Sequence, residues 1–269
     1  MSWKLALHTG SLGTLPLDAA LRVARETGWD GVELRYADFT RALEGGTSIE
    51  ASLAQVKRSG LPVSAVGVER GWFYAEGEER RRLLGIIDEV SRWADDLGAP
   101  IVMSPCDVQT GDLNQAAASL REVGDLVAAR GQTIALELNV SLIQFKTLRQ
   151  VRNLLALAGH PNVGLLVDTY HIERTDGGVA TYESLEPGEI AYFQYSEVPD
   201  APMNPPGNTQ ERLPPGQGVV PFAEILTIVA AKGYSGFLSY EALHPAAFAR
   251  DPYDVAREAL AASRTMASS

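Results

Sequence analysis

Apolar residues along this chain keep two rhythms. Short runs, continuous or alternating, recur throughout: "WKLALH", "GVELR", "PVSAVG", "PIVMSP", "TIALELN", "VGLLVD", "IAYFQYS" and "GFLSYE". Their lengths and patterns predict buried β-strands. Between them lie longer stretches with apolar residues every three or four positions, such as "PLDAALRVARETG" and "EERRRLLGIIDEVSRWADDLG". In the second, Leu83, Leu84, Ile87, Val90, Trp93 and Leu97 fall at helical spacing. Gly28, Gly60, Gly98, Gly131 and Gly233 stand where helices should close before the next strand.

Strands alternating with helices predict parallel pairing through right-handed crossovers. Eight such units in 269 residues predict an α/β fold, a single (β/α)8 TIM barrel over residues 1–269. No shift in composition divides the chain. No Gly-x-Gly-x-x-Gly stretch follows the first strand, which counts against an open dinucleotide-binding sheet. One long irregular segment, "PDAPMNPPGNTQERLPPGQG" at 199–218, follows the seventh strand and holds six prolines. A loop of that length in a compact domain is usually functional or disordered.

The totals narrow the partners. The formal net charge is −11 and hydrophobic residues make up 45% of the chain. An acidic surface repels phosphate backbones, so no nucleic-acid partner is expected. The dense basic run "ERRRLL" reads as one solvated helix face. Cys106 is the only cysteine, which excludes intramolecular disulfides and cysteine-rich zinc sites. No apolar run is long enough to span a membrane, and the N-terminal "MSWKLALHTG" is a poor signal peptide. A cytoplasmic location is expected, with the tail "SRTMASS" frayed.

In a barrel of this kind, inward side chains alternate along each strand, and the site lies at the strands' carboxyl ends. In "TIALELN", Ile134, Leu136 and Leu138 should face the helices, leaving Ala135, Glu137 and Asn139 toward the axis. By the same alternation Asp168 points inward from "VGLLVD". Gln194 does so from "IAYFQYS", with Tyr192 and Ser196, and Glu241 shares its parity with Phe237 and Ser239. Taken singly, each acid also suits the first turn of the following helix. Together, three carboxylates in a poorly solvated cleft are costly unless protons or a cation neutralise them. A hard ligand set of three carboxylates and an amide oxygen favours Mn²⁺ or Mg²⁺, with Co²⁺ or Zn²⁺ as alternatives.

The motifs "GWDGVELR", "ALELN", "GLLVDTYHI", "YFQYSEVPD", "RLPPGQGVVPF" and "GYSGFLSYEAL" carry a resemblance over nearly the whole chain. In that order and spacing, the sequence resembles the xylose isomerase-like TIM-barrel superfamily, and within it the sugar phosphate isomerase/epimerase group. The resemblance implies metal ligands at Glu137, Asp168, Gln194 and Glu241. The seventh-strand ligand is often histidine in this group; Gln194 replaces it with a weaker oxygen donor. The resemblance also places His171 and Arg212 at the substrate.

Further pocket residues are expected at His8 and Glu33, inward at the ends of the first two strands, and at Asn139. For Glu33 the alternative is a structural ion pair with Arg35 or another base, slightly less favoured than the pocket role. Trp72 and Phe73 are read as a pocket wall or a core anchor. His244 falls near the rim, and His160 in a surface turn. Cys106 has no evident base partner.

The chemistry expected is proton abstraction beside the carbonyl of a small sugar-like molecule, through an enediolate, with Glu137 and Glu241 as the catalytic pair. That reads as a metal-dependent isomerase or epimerase of a ketose or related compound. A metal-dependent dehydratase of a keto-polyol, such as an inosose or dehydroshikimate, shares the first step. A noncatalytic sugar-binding barrel is the third reading. The DNA-repair enzyme endonuclease IV shares the superfamily but relies on a histidine-rich zinc site, and this chain has four histidines in total. Barrels of this group often pair, so a homo-oligomer is expected.

Overall fold

A computed structural model describes residues 3–268. The eight apolar runs become β1 (Lys4–His8), β2 (Gly31–Arg35), β3 (Val63–Gly67), β4 (Ile101–Pro105), β5 (Thr133–Glu137), β6 (Val163–Asp168), β7 (Ile190–Tyr195) and β8 (Phe237–Tyr240). Each strand pairs in parallel with the next, and β8 returns to β1 through Lys4↔Phe237 and Leu7↔Tyr240, closing a barrel. The helices are α1 (Leu17–Thr27), α2 (Tyr36–Glu44), α3 (Ile49–Ser59), α4 (Gly77–Asp96), α5 (Leu113–Ala128), α6 (Leu148–Ala158), α7 (Thr169–Glu173), α8 (Val179–Glu183), α9 (Phe222–Ala231), α10 (Pro245–Phe248) and α11 (Pro252–Ala267).

The alternation along the strands divides the apolar residues into two cores. Ile134, Leu136, Leu165, Val167, Phe193 and Leu238 face outward and join the apolar stripes of the helices. In α4 that stripe includes Leu83, Ile87, Val90 and Trp93, all buried, as their spacing requires. Full burial of one such leucine contributes about 1.5–3 kcal/mol. A second, smaller cluster of Ala65, Ile101, Met103, Ala135, Leu166 and Tyr192 faces the barrel axis. Two residues further along their strands, Ala135, Leu166 and Tyr192 give way to Glu137, Asp168 and Gln194. An apolar plug therefore lies beneath the polar carboxyl ends, and water is kept from below.

Two register shifts break the regular ladder, one between β2 and β3 and one between β6 and β7. The first sets Val32 opposite Val63 and Glu33 opposite Ala65, so Ser64 is the extra residue. Its side chain reaches the hydroxyl of Tyr192 at 2.7 Å. Trp72 and Phe73 are both fully buried. Trp72 donates its indole N–H to Ser104 Oγ at 3.0 Å, and Phe73 packs edge-on against Phe145. They anchor the β3–α4 loop in the core. Among the described residues, no helix is long and apolar enough to cross a membrane.

The proline-rich segment has a defined path. Glu197 and Leu213 form an antiparallel bridge. The Glu197 carboxylate accepts the Gly216 and Val220 N–H groups at 2.9 and 3.0 Å. On its other side, Glu211 takes hydrogen bonds from Tyr170 and Arg174, the first on α7 and the second at its end. These contacts bring Arg212 over the barrel mouth.

Candidate active site and metal centre

Four strand ends and one loop build the site. Glu137 closes β5, Asp168 closes β6, Gln194 lies near the end of β7, and Glu241 directly follows β8. The β6–β7 register sets Asp168 opposite Gln194. Arg212 enters from the loop and is 2% exposed. Its Nη1 donates to Asp168 Oδ2 at 2.8 Å and to Glu241 Oε2 at 3.2 Å. Two carboxylates thus converge on one buried positive charge. Glu137, Asp168 and His171 each offer a ligand atom, all within 4.8 Å of one another, and this buried triad can hold a metal ion.

Burial and mutual repulsion set the charges. Burial pushes Glu137 well above the ordinary carboxylate range, and Glu241 and Asp168 add to the rise. Burial also raises Glu241, against the pull of Arg212. Burial opposes ionisation of Asp168 too, but the charge and hydrogen bond of Arg212 counter it and the carboxyl falls below its usual value. One acid is committed to the charged form while its two neighbours resist it. Such divergence within a cluster marks groups suited to different chemical roles.

His171 is buried. The Val140 N–H donates to Nδ1 at 3.3 Å. Arg212 Nη2, Asn139 Nδ2 and Glu137 Oε1 lie 2.9, 3.1 and 3.4 Å from Nε2. Burial is the main cause that lowers its pKa to about 4, leaving a neutral, Lewis-basic imidazole. His8 is similar: burial, then Arg35, brings it to about 3. Its Nδ1 accepts the Gly10 N–H at 3.1 Å and lies 3.7 Å from Glu241 Oε1. A Cβ at Gly10 would meet the His8 ring at 2.6 Å, so this packing requires glycine.

Glu33 is 0% exposed and sits deeper in the barrel. Its Oε1 accepts Gln194 Nε2–H at 2.8 Å. Its Oε2 lies 3.1 Å from the Tyr192 hydroxyl, which touches Ser64 Oγ at 2.7 Å, which in turn lies 3.1 Å from the Val32 carbonyl. The Tyr192 hydroxyl donates to Glu33 Oε2. Burial, reinforced by Glu241, raises the Glu33 pKa well above the ordinary carboxylate value. The sequence also offered Arg35 as a partner for Glu33. Arg35 instead bonds Asp38 Oδ1 at 2.7 Å.

The other expected residues lie around this centre. Asn139 binds His171 through its amide nitrogen, and its Oδ1 accepts the Ser141 N–H and hydroxyl at 3.0 and 2.6 Å. His244 lines a cavity of about 170 Å³ that also meets Arg212, Tyr240 and Ala242. His160 bonds Asp125 on the outer surface. Cys106 is buried. A groove of about 1170 Å³ between α6 and α8 is lined by none of the site acids. Tyr170, which sequence reasoning missed, stacks under the Arg212 guanidinium at 4.7 Å. Its place between Asp168 and His171 was the available signal.

The residues fit a divalent cation. Three carboxylates against one guanidinium leave a deficit of two positive charges when all are ionised. Gln194 Oε1 is buried and, among the described residues, has no hydrogen-bond partner. A buried amide oxygen without a donor is costly unless something electropositive meets it.

Comparison with known proteins gives this geometry a family. The xylose isomerase-like TIM barrel family matches residues 21–266, and the chain belongs to it. The chain is 28% identical over 236 residues to a 3-dehydroshikimate dehydratase of Pseudomonas putida, covering 85% of this chain. It spans only 36% of that relative's length. An inosose isomerase of Halalkalibacterium halodurans is 25% identical over 127 residues, 47% of this chain and 45% of its own. Among solved structures, the IOLI protein with a bound zinc atom superposes with a TM-score of 0.84 over 98% of both chains, at 18% identity.

Proposed function

We propose that this chain, as a member of that family, is a divalent-metal-dependent isomerase or epimerase of a ketose or related sugar-like carbonyl compound. The observation that carries the reading is the convergence of Asp168 and Glu241 on one buried cationic nitrogen of Arg212, beside Glu137 and the unpartnered Gln194 Oε1. Glu137, Asp168, Gln194 and Glu241 would hold the ion. The oxygen-rich set favours Mn²⁺ or Mg²⁺, whereas the IOLI protein carries zinc. When bound, the ion would supply Lewis-acid stabilisation of charge developing on the substrate's carbonyl oxygen.

The chain's own groups do the rest. Glu137 and Glu241 enter from separate strands, so they reach a bound carbon from different sides. One removes the proton beside the carbonyl and the other delivers a proton. A bound cation would lower the proton affinity of both carboxyls and weaken each as a base, so their close, fixed placement must compensate. Asp168 stays ionised. His171, neutral, and Arg212 orient the substrate oxygens, with His8 and Asn139 beside them. The apolar plug below and the loop above exclude water.

The likeness to 3-dehydroshikimate dehydratase favours a second reading. After the same proton abstraction, the C–O bond to a β-hydroxyl breaks. That oxygen takes a proton from the second carboxyl and leaves as water, and a C=C bond forms.

One experiment separates the readings. The protein with Mn²⁺ is incubated in D₂O with ketoses, inososes, hydroxypyruvate and dehydroshikimate. An isomerase or epimerase places solvent deuterium beside the carbonyl without new absorbance. A dehydratase develops the absorbance of a conjugated product. Sugar binding with neither signal in any metal form contradicts both readings and leaves a noncatalytic barrel.

A further inference from the structure

Gln194 is an awkward ligand. Its amide presents an oxygen on one side and two N–H donors on the other, in nearly the same shape. A cation is attracted by the first and repelled by the second. The difference in electrostatic energy is large inside a buried cleft. Something must therefore fix which end faces the acids.

Among the described residues, the side-chain hydrogen bond made by Gln194 is the one across the barrel to Glu33, from Nε2 to Oε1 at 2.8 Å. Glu33 belongs to β2 and Gln194 to β7, so the contact spans the lumen. Glu33 is itself fixed: its other oxygen meets Tyr192, and Tyr192 meets Ser64. All four side chains are buried, and Glu33 and Gln194 are each 0% exposed. With Nε2 claimed from below, Oε1 points elsewhere and meets no donor among the described residues. The β6–β7 register puts Gln194 beside Asp168.

We infer that Glu33 is a positioning residue, which holds the Gln194 amide by its N–H so that Oε1 is the end offered to the acidic cluster. The inference rests on the proposed role of Gln194 as a metal ligand. Glu33 touches neither substrate nor ion; it acts through Gln194, as outer partners of metal ligands do. Where a histidine ligand has one donor nitrogen and one acceptor nitrogen, a glutamine has a flippable amide, and Glu33 removes the ambiguity.

The test is Mn²⁺ affinity, read from free Mn²⁺ by electron paramagnetic resonance, with metal-free melting curves as the control for folding. Glu33→Met should weaken binding by about tenfold or more. Glu33→Gln keeps an acceptor oxygen and should bind within about threefold of wild type. Gln194→Leu should weaken binding by a similar factor, and adding Glu33→Met to it should cost little more, because the two act through one bond. A merely structural role for Glu33 would give additive losses. Wild-type affinity in Glu33→Met, with Gln194→Leu impaired, overturns the inference and leaves the ligand set standing. Wild-type affinity in Gln194→Leu overturns the ligand role, and the inference falls with it. Should Glu33→Met fail to fold, Tyr192→Phe removes one hydroxyl beneath Glu33 and keeps the ring packing. Its affinity should drop by about threefold, and no change overturns the inference.

Discussion

Arg212 Nη1 lies 2.8 Å from Asp168 Oδ2, and both side chains are buried. The two residues are 44 positions apart, joined only because the proline-rich loop folds back over β6. The guanidinium stands in a cluster whose carboxylates otherwise repel one another. Its removal leaves a buried charge unpaired, which typically costs about 3–5 kcal/mol. Arg212→Met should therefore lower the melting temperature of the metal-free protein by roughly 10 °C. Saturating Mn²⁺ should restore part of the loss by neutralising the same acids. Differential scanning fluorimetry with and without Mn²⁺ checks this, and an unchanged metal-free transition contradicts it.

Asp38 gives a pH prediction away from the acidic cluster at the barrel mouth. It is buried, yet its carboxyl bonds Arg35 at 2.7 Å, Arg41 at 2.6 Å and the Thr9 hydroxyl at 2.5 Å. Burial opposes its charge, but Arg35 and Thr9 outweigh burial and its pKa falls below the usual 3.8. A depressed carboxyl stabilises the fold above its unfolded pKa, and that contribution is lost as pH drops through the folded one. Asp38→Asn should lose about 2 kcal/mol at pH 7, because the arginines are partly exposed and screened. As pH falls from about 5 to about 2, wild type should converge on the variant. Urea denaturation across that range measures it, and a constant gap between the two proteins counts against the assignment.

Replacing the seventh-strand amide should change the metal preference of the proposed site. Gln194→His supplies an imidazole nitrogen, a better donor than an amide oxygen for zinc and cobalt. Zn²⁺ affinity should rise by about tenfold or more relative to Mg²⁺, while Glu33 remains able to accept the second ring N–H. Competition with a chromophoric chelator reads both affinities. An unchanged Zn²⁺/Mg²⁺ preference would place position 194 outside the coordination sphere.

Tyr170 should act on substrate through Arg212. Its ring lies 4.7 Å from the guanidinium carbon, and its hydroxyl bonds the Asn208 carbonyl and Glu211 at 2.9 Å each. Tyr170→Phe keeps the cation–π contact and loses the loop's hydrogen bonds, so stability should fall by about 1 kcal/mol. Tyr170→Leu loses both and should raise KM about tenfold with a smaller change in kcat, as expected when an orienting cation loses its platform. A steady-state assay on the turned-over substrate shows the split; equal KM values for Leu and wild type contradict it.

Much of this was legible because a strand's side chains alternate with period two. "TIALELN" assigns Ala135 and Glu137 to one face and Ile134 and Leu136 to the other, and the two cores keep that division. The five glycines expected to end helices all have positive φ, from +68° at Gly131 to +91° at Gly28. The pattern does not show where the period slips. Ser64 is an extra residue at a register shift, and so reaches Tyr192 inside the barrel. Nor does periodicity reach across the lumen: the Glu33–Gln194 bond joins residues 161 apart. Arg212 lies in an aperiodic loop, so its approach to Asp168 follows from tertiary contacts by Tyr170, Arg174 and Glu197. The short helix α2 is set by Asp38 capping the Arg35 N–H at 2.9 Å, a signal lost among ordinary acidic residues in the sequence.

The most direct measurement is a crystal of the protein soaked in Mn²⁺, with anomalous difference density collected near the manganese edge. One strong peak is expected at the barrel mouth, within coordination distance of Glu137, Asp168, Gln194 Oε1 and Glu241, with Arg212 Nη1 displaced from between the acids. A mouth without a peak at saturating Mn²⁺, or an ion held by Glu137, Asp168 and His171 with Gln194 and Glu241 uninvolved, contradicts the proposed ligand set.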